Sequence, residues 1–521
     1  MNDNDDQLCL IRGLRDKQCY PHTVKSVRVI ETHISWILLA GKFAYKIKKA
    51  VDLGFLNYTR LAARKHYCAE EIRLNRRTAS ALYLEVVAIG GSTDAPQIGA
   101  QPAIEYAVKM RRFPAHALLD RSLVRGELLP RHIDRLSAAV AGFHAALPGV
   151  ADARYGTAAT IRAATLQNFG QMRTLLRDDA GRVLLASSQR ATEDEFAARA
   201  TLFASRRARG FVRECHGDLH LGNIALIGDQ PIPFDGIEFN PALRWIDVMS
   251  EVAFTMMDLL HRGRPDYAWR FLNGYLETTG DYAGIAVLRF YLAYRAAVRA
   301  KVSAIRSAQP GIAVRAGADA LRACRSYLAL AQHCLHESHP VLIITHGLPG
   351  SGKTTFAQYL VEQMGAIRLR SDVERKRLHG LQAGERSRGD IYGAAATERT
   401  YARLHELARE ILQAGHVVIV DAAFLNRAER EQFRRLAHNL SVPFAIASLH
   451  APDPALRQRI EQRRHDASEA DVAVLEKLQT LQQPLSSEER AWSVRFTTAQ
   501  APDSRANAQA WRKLEMLLSA G

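Results

Sequence analysis

The spacing of apolar residues changes its period several times along the chain. Between 24 and 51 the runs VKSVRVIET, ISWILLAG and FAYKIKKAV are rich in Val, Ile, Tyr and Phe and break at Gly41 and Lys42, which predicts strands joined by a turn. Over 59–82, TRLAARKHYCAEEIRLNRRTASAL, the spacing becomes helical. LYLEVVAIGG and AIEYAVKMRRF return to strand on either side of a Gly/Ser/Asp/Pro-rich turn, so this part reads as a small sheet with one helix. From about 116 to 205 the pattern is helical; a short strand and hairpin interrupt it at 211–238, and helices resume to about 336. ESHP, 337–340, reads as a boundary, because Pro340 disfavours helix before it. Beyond it, four apolar strands (VLIITHG, AIRLRSD, HVVIVDAA and FAIASLHA) alternate with helices, the pattern of a parallel sheet covered on both faces.

At 521 residues the chain has room for about three folding units. The six cysteines are scattered without a C-x-x-C pair, which argues against a disulfide framework and suits a reducing cytosol. The start, MNDNDDQLCLIRGL, lacks the basic and apolar regions of a signal peptide, and no run approaches the ~20 apolar residues of a membrane helix, so a cytoplasmic protein without a membrane partner is expected. The formal charge of +16 suits either a nucleic-acid binder or a protein handling small anions. Arginines dispersed along helical stretches, with no aromatic-basic platform, favour the second. The oligomeric state is not legible.

Two stretches carry chemistry. GLPGSGKT begins at Gly347 and fits G-x-x-x-x-G-K-[ST] in full, after an apolar strand and at the start of a helix. Gly347, Gly350, Ser351, Gly352, Lys353, Thr354 and Thr355 form the expected phosphate cradle: backbone N–H groups wrap the phosphates, Lys353 reaches them, and the Thr354 hydroxyl holds Mg²⁺. Asp421 ends the strand VVIVD, where an acid can hold the metal or its water. Asp372 ends the preceding strand and is expected to orient or deprotonate an acceptor hydroxyl, or to cap the helix that follows, or both. Arg459 and Arg463, four apart, would share a helical face able to close over the triphosphate. Residues 341–490 resemble small P-loop kinases related to gluconate kinase, polynucleotide 5′-kinases and zeta-toxin-type kinases.

The second stretch, CHGDLHLGNIAL from Cys215, contains H-x-D-x-x-x-x-N. Asp218 can accept the proton of an incoming hydroxyl, Asn223 can coordinate Mg²⁺, and Asp235 in IPFDGIEFN is the natural second ligand. His216 reads as structural, and His220 as a contact near the metal. Residues 20–335 resemble the aminoglycoside phosphotransferase/choline kinase branch of the protein-kinase-like fold. The resemblance implies a two-lobed fold with ATP in its cleft, Lys46 in FAYK as the ATP lysine (or Lys48, on the same strand face), Glu71 as its partner in preference to Glu70, and KMRRF, 109–113, as the connection near the adenine. Asp247 is expected to support the catalytic loop. Two departures stand out: no G-x-G-x-x-G precedes Lys46, and the metal motif reads F-D-G. Arg295 and Arg299 read as a solvated helix face in preference to an anion site.

The expected fold is multidomain, α+β and α/β: a two-lobed kinase-like domain (lobes 1–115 and 116–336), a linker at 337–340, and a P-loop NTPase domain at 341–521. The expected activity is ATP- and Mg²⁺-dependent phosphoryl transfer to hydroxyls of small molecules at two sites. The alternatives are a P-loop enzyme regulated by a metabolite-binding kinase-like domain, and a polynucleotide kinase.

Overall fold

The computed structural model describes residues 3–54, 56–309, 311–336, 339–387, 391–462 and 467–519. The expected linker therefore falls partly outside the described residues. The chain forms two compact units, one of residues 1–164 and 203–258, the other of residues 165–202 and 259–521.

In the first unit, β1 (Val27–Glu31), β2 (Ser35–Ala40), β3 (Phe43–Lys48), β4 (Tyr83–Gly91), β5 (Pro96–Ile98) and β6 (Glu105–Arg111) build a six-stranded antiparallel sheet of order β1-β2-β3-β6-β4-β5. Central β3 is covered on both faces. Tyr45 and Ile47 pack with Leu10, Ile11 and Leu14 at one end of the chain, where the acidic start folds into the helix Asp3–Gly13. Ala44 packs on the other face with Cys68 and Ile72 of the helix Leu61–Ala79. The period of two then places Lys46 and Lys48 beneath that helix. β7 (Val212–Glu214) pairs with β10 (Trp245–Asp247), and β8 (Ile224–Ile227) with β9 (Gln230–Pro233), so the predicted strand and hairpin are present.

The second unit holds β11 (Leu342–His346), β12 (Ile367–Arg370), β13 (Val418–Asp421), β14 (Phe444–His450) and β15 (Ser493–Thr497) in a five-stranded parallel sheet of order β12-β13-β11-β14-β15. The sequence pattern predicts four of these. β15, SVRFT, alternates buried and solvent-facing residues as an edge strand does, and lacks the apolar run that marks the others. Each edge strand is met by a buried asparagine. Asn273, on the helix Pro265–Thr279, donates to Ala366 O (3.0 Å) and accepts from Arg368 N (2.7 Å) at β12. Asn507 donates to Thr497 O (3.0 Å) and accepts from Thr497 N (3.0 Å) at β15.

The reading of Arg295 and Arg299 as a solvated face is overturned. Arg295 is 4% exposed, and the helix carrying it, Ile285–Ser307, packs along Val314–His336. Its guanidinium lies 5.5 Å from the Tyr294 ring, and that of Arg299 lies 5.9 Å from the Tyr327 ring. No disulfide joins the cysteines among the described residues. Among the described residues no helix is long and apolar enough to cross a membrane.

Candidate active sites

In the first unit, β3 and the helix Leu61–Ala79 meet in a buried ion cluster. Glu71 accepts from Lys46 Nζ at Oε1 (2.9 Å) and from Lys48 Nζ at Oε2 (2.8 Å). Lys46 also bridges to Asp235, and Lys48 to Glu238. Burial opposes the charge on Lys46, but the Asp235, Glu71 and Glu238 carboxylates overcome it and hold the ammonium well above its usual range. Burial likewise opposes the charge on Glu71, which the two lysines outweigh, lowering its pKa. Glu70 faces the other way, to Arg73 (3.0 Å) and Arg244 (3.6 Å).

Asp218 and Asn223 adjoin: Asn223 Nδ2 donates to Asp218 Oδ2 (2.8 Å) and Asp218 O (3.0 Å). His216 ties this loop to the one bearing Asp235. Its Nε2 donates to Phe234 O (2.8 Å), its Nδ1 accepts from Asp218 N (3.3 Å), and its carbonyl accepts from Ile237 N (3.0 Å). Burial pushes the imidazole below its usual range, so the ring serves as a neutral strut. His220 accepts from Gly222 N (3.0 Å) and lies 3.5 Å from Asp218 Oδ2. Gly217 must be glycine, since at φ 88° a Cβ would stand 2.8 Å from Leu243 O. Asp235 also has positive φ, 63°, a conformation that costs energy for a residue with a Cβ and that clusters at functional sites. Tyr83 OH accepts from its N–H (3.0 Å), and Asn75 accepts from Gly236 N (2.7 Å).

The support for this loop differs from expectation. Asp247 pairs with Arg206 through both oxygens (2.7 and 2.8 Å) and accepts from Met249 N (2.8 Å). The loop itself hangs on the helix Val248–His261: Glu251 accepts from His216 N (3.0 Å) and Gly217 N (2.7 Å), Thr255 donates to Leu219 O (2.7 Å), and Asp258 accepts from Leu221 N (2.9 Å). These residues carry no local motif; their one sequence signal is polar groups recurring at helical spacing inside an apolar helix. Ligand atoms of Glu251, His144 and Cys215 lie within 4.8 Å of one another, but both Glu251 oxygens are already hydrogen-bonded to loop amides.

Among the described residues no glycine-rich loop covers this site. β1 and β2 join through Thr32, His33 and Ile34, a tight turn closed by Thr32 N–H to Ser35 O (2.9 Å). Phe113 packs edge-on against Phe234 at 5.1 Å, beside half-buried Ile37, Leu39, Ile227 and Ile232. Asn223 and Asp235 offer hard oxygens, and the Asp235 side chain is 41% exposed, so the donor set fits Mg²⁺.

In the second unit the loop 347–352 leads into the helix Lys353–Met364. Lys353 Nζ donates to Gly347 O and Leu348 O (2.9 Å each), folding back over the cradle. A Cβ at Gly350 would stand 2.7 Å from Leu456 O, and one at Gly347 2.6 Å from Leu449 O, so the backbone follows a path only glycine permits. Among the described residues the buried Ser351 hydroxyl has no hydrogen-bond partner, so the cradle has a polar group to offer a phosphate. Thr354 is half-buried and Thr355 exposed. Asp421 is buried at the end of β13, 3.8 Å from Arg370 Nε, and Gly347 N donates to Ala423 O (3.1 Å), joining its loop to the cradle.

Asp372 stands half-exposed in the first turn of the helix Ser371–Leu378. The cap position belongs to Arg370, so the capping role expected of Asp372 is not present. Arg459 is corrected as well. It donates to Gly350 O (3.1 Å), Thr498 Oγ1 (3.0 Å) and Thr498 O (2.5 Å), bolting the cradle to the end of β15. Its helix ends at Glu461, and Arg463 lies outside the described residues. Beside Arg459 opens a cavity of about 240 Å³ lined by Gly352, Thr355, Phe356, Thr498 and Pro502.

Residues 342–485 match the family model described as an AAA domain. The uncharacterized protein Rv2004c of Mycobacterium tuberculosis is 32% identical over 475 residues, covering 88% of this chain and 91% of that one. Among solved structures, a choline/ethanolamine kinase family protein from Mesorhizobium loti is 13% identical with a TM-score of 0.36, covering 59% of this chain and 92% of that one. A gluconokinase from Sinorhizobium meliloti is 20% identical with a TM-score of 0.26, covering 35% and 97%.

Proposed function

The chain belongs to the same family as Rv2004c of Mycobacterium tuberculosis, and we propose that it is an ATP-dependent phosphotransferase with two separate nucleotide sites, each acting on the hydroxyl of a small molecule. One observation carries the reading. The first unit joins Lys46, Glu71 and Asp235 by ion pairs, and His216 and the Phe234 backbone tie Asp218 and Asn223 to the Asp235 loop, while the second carries a phosphate cradle of its own. In this reading the kinase-like part spans 1–336 in lobes 1–115 and 116–336, and the P-loop part spans 341–521.

At the first site Lys46 leaves Asp235 for the phosphates, with Glu71 fixing its ammonium. Asp218 accepts the acceptor's proton; its half-exposed carboxylate is held toward the site by Asn223. Asn223 and Asp235 would hold Mg²⁺, which would supply charge screening for the transferring group. The apolar side chains around Phe113 and Phe234 supply a wall for the purine.

At the second site the amides of 350–355 and Lys353 would hold the phosphates, Thr354 and Asp421 would hold the metal, and the cavity beside Arg459 would admit the base. Asp372 orients the acceptor hydroxyl.

The test is mass spectrometry of a metabolite extract incubated with ATP and wild-type, Asp218→Ala or Lys353→Ala protein. Each variant is expected to lose its own phosphorylated product and retain the other. If Asp218→Ala leaves every product at its wild-type level, the two-site reading fails.

A further inference from the structure

Sequence periodicity leaves two lysines of β3 competing for one role, and the structure uses both. Lys46 and Lys48 take opposite oxygens of the same carboxylate, Glu71, at 2.9 and 2.8 Å. Their second partners differ. Lys46 reaches Asp235, whose side chain is 41% exposed, so this contact faces the open site. Lys48 reaches Glu238, three residues on, and is itself 0% exposed. Glu238 is fixed in turn by Tyr58 OH (2.6 Å), and the Glu238 carbonyl accepts from Arg244 (3.0 Å). Lys48 thus has no route to a ligand, and all its partners are fixed. Lys46 has one fixed partner, Glu71, and one that can turn away.

We infer that Lys48 is a positioning residue for the N-terminal site: it holds Glu71 to the metal-binding loop through Glu238, so that Glu71 stays in place when Lys46 exchanges Asp235 for a nucleotide phosphate. The inference rests on the nucleotide reading of this site. A single lysine would leave Glu71 with one oxygen unpaired in a buried pocket, at a cost that favours turning the carboxylate or moving its helix. Lys48 removes that cost and ties sheet, helix and metal loop at one point. Asn75 adds a second tie between the same helix and loop: it accepts from Gly236 N (2.7 Å) and donates to Glu71 O (2.9 Å). Two contacts that do not involve Lys46 thus hold the helix bearing Glu71 to this loop.

The experiment uses the full chain carrying Lys353→Ala, which removes the lysine of the second site, and Thr355→Trp, which fills the cavity proposed for its base, so that the N-terminal site reports; it is titrated calorimetrically with Mg²⁺·AMP-PNP and separately with adenosine. Lys46→Ala is expected to abolish the Mg²⁺·AMP-PNP signal; if it leaves binding unchanged, the nucleotide reading and this inference both fall. With that control in hand, Lys48→Met is expected to weaken Mg²⁺·AMP-PNP about tenfold, the scale of one charged hydrogen bond, and to leave adenosine within about twofold. Lys48→Arg is expected to restore most of the loss. Equal weakening of both ligands, as from general loosening, or no weakening of either, overturns the role of Lys48 while leaving the nucleotide reading intact. Should Lys48→Met lose cooperative melting, Glu238→Gln decides instead. It keeps the hydrogen bond to Tyr58 and removes the charge that anchors Lys48, so the same split between the two ligands is expected, and its absence overturns the inference.

Discussion

His346 ends β11, one residue before the phosphate cradle, and is 2% exposed. Burial, with Arg430, His450 and Lys353 nearby, pushes its imidazole down to about 4. Burial with Arg289 and Arg199 pushes His416 down to about 3. Both rings are neutral when folded and take up protons more readily when unfolded, where the value is about 6.5. Their contribution to stability is therefore complete above pH ~6.5 and is lost progressively as the pH falls toward the folded values. The melting temperature of the second unit is expected to hold above pH ~6.5 and decline below it, and His346→Gln is expected to flatten part of that decline. A calorimetric pH series on both proteins checks this; equal slopes would remove His346 as a source. At this scale the sequence is legible where partners are close along the chain. Asp218 and Asn223 are five apart, and the structure joins their side chains at 2.8 Å. Lys46 and Lys48 are indistinguishable to periodicity because they share a strand face, and what separates them is contact with residues nearly two hundred positions away.

At the scale of elements, the helix Val248–His261 acts as a rack for the loop beneath it. Glu251, Thr255 and Asp258 recur at helical spacing, and each takes a backbone group of residues 216–221. Replacing Glu251 with Ala removes the acceptor of two buried amides and the partner of His144 (3.0 Å). The expected cost is about 3–5 kcal/mol, read by denaturant unfolding of the full chain; a loss under ~1 kcal/mol would mean that another group takes over the amides. Such support is invisible in sequence because its partners are main-chain groups, which every residue has. Strand periodicity fares better: β1 to β4, β6 and β11 to β14 follow from alternating or continuous apolar runs. β15 escapes because an edge strand carries its signal on alternate residues over only five positions. The helix Asp3–Gly13 escapes because its apolar residues cluster at one end behind a run of acids and amides.

At the scale of the whole molecule, helices before 337 and the P-loop sheet fall within one compact unit, residues 165–202 and 259–521. Asn273 is a point of attachment: its amide pairs with β12 as a neighbouring peptide group would, while Trp269 closes on Gly365, where a Cβ would stand 2.6 Å from the indole. Asn273→Ala strands one buried N–H and one buried C=O, so a loss of about 1–3 kcal/mol is expected. Amide exchange at Arg368 should accelerate, and unchanged exchange there would show that the edge is covered without Asn273. The same device recurs on the opposite edge, where Asn507 pairs with Thr497. A parallel sheet whose outer strands each find a side-chain amide in the place of a further strand presents no free rung to another polypeptide at those positions. Strand addition is thereby blocked at these two positions, and variants at Asn273 or Asn507 should be the first to form fibrous aggregates on storage.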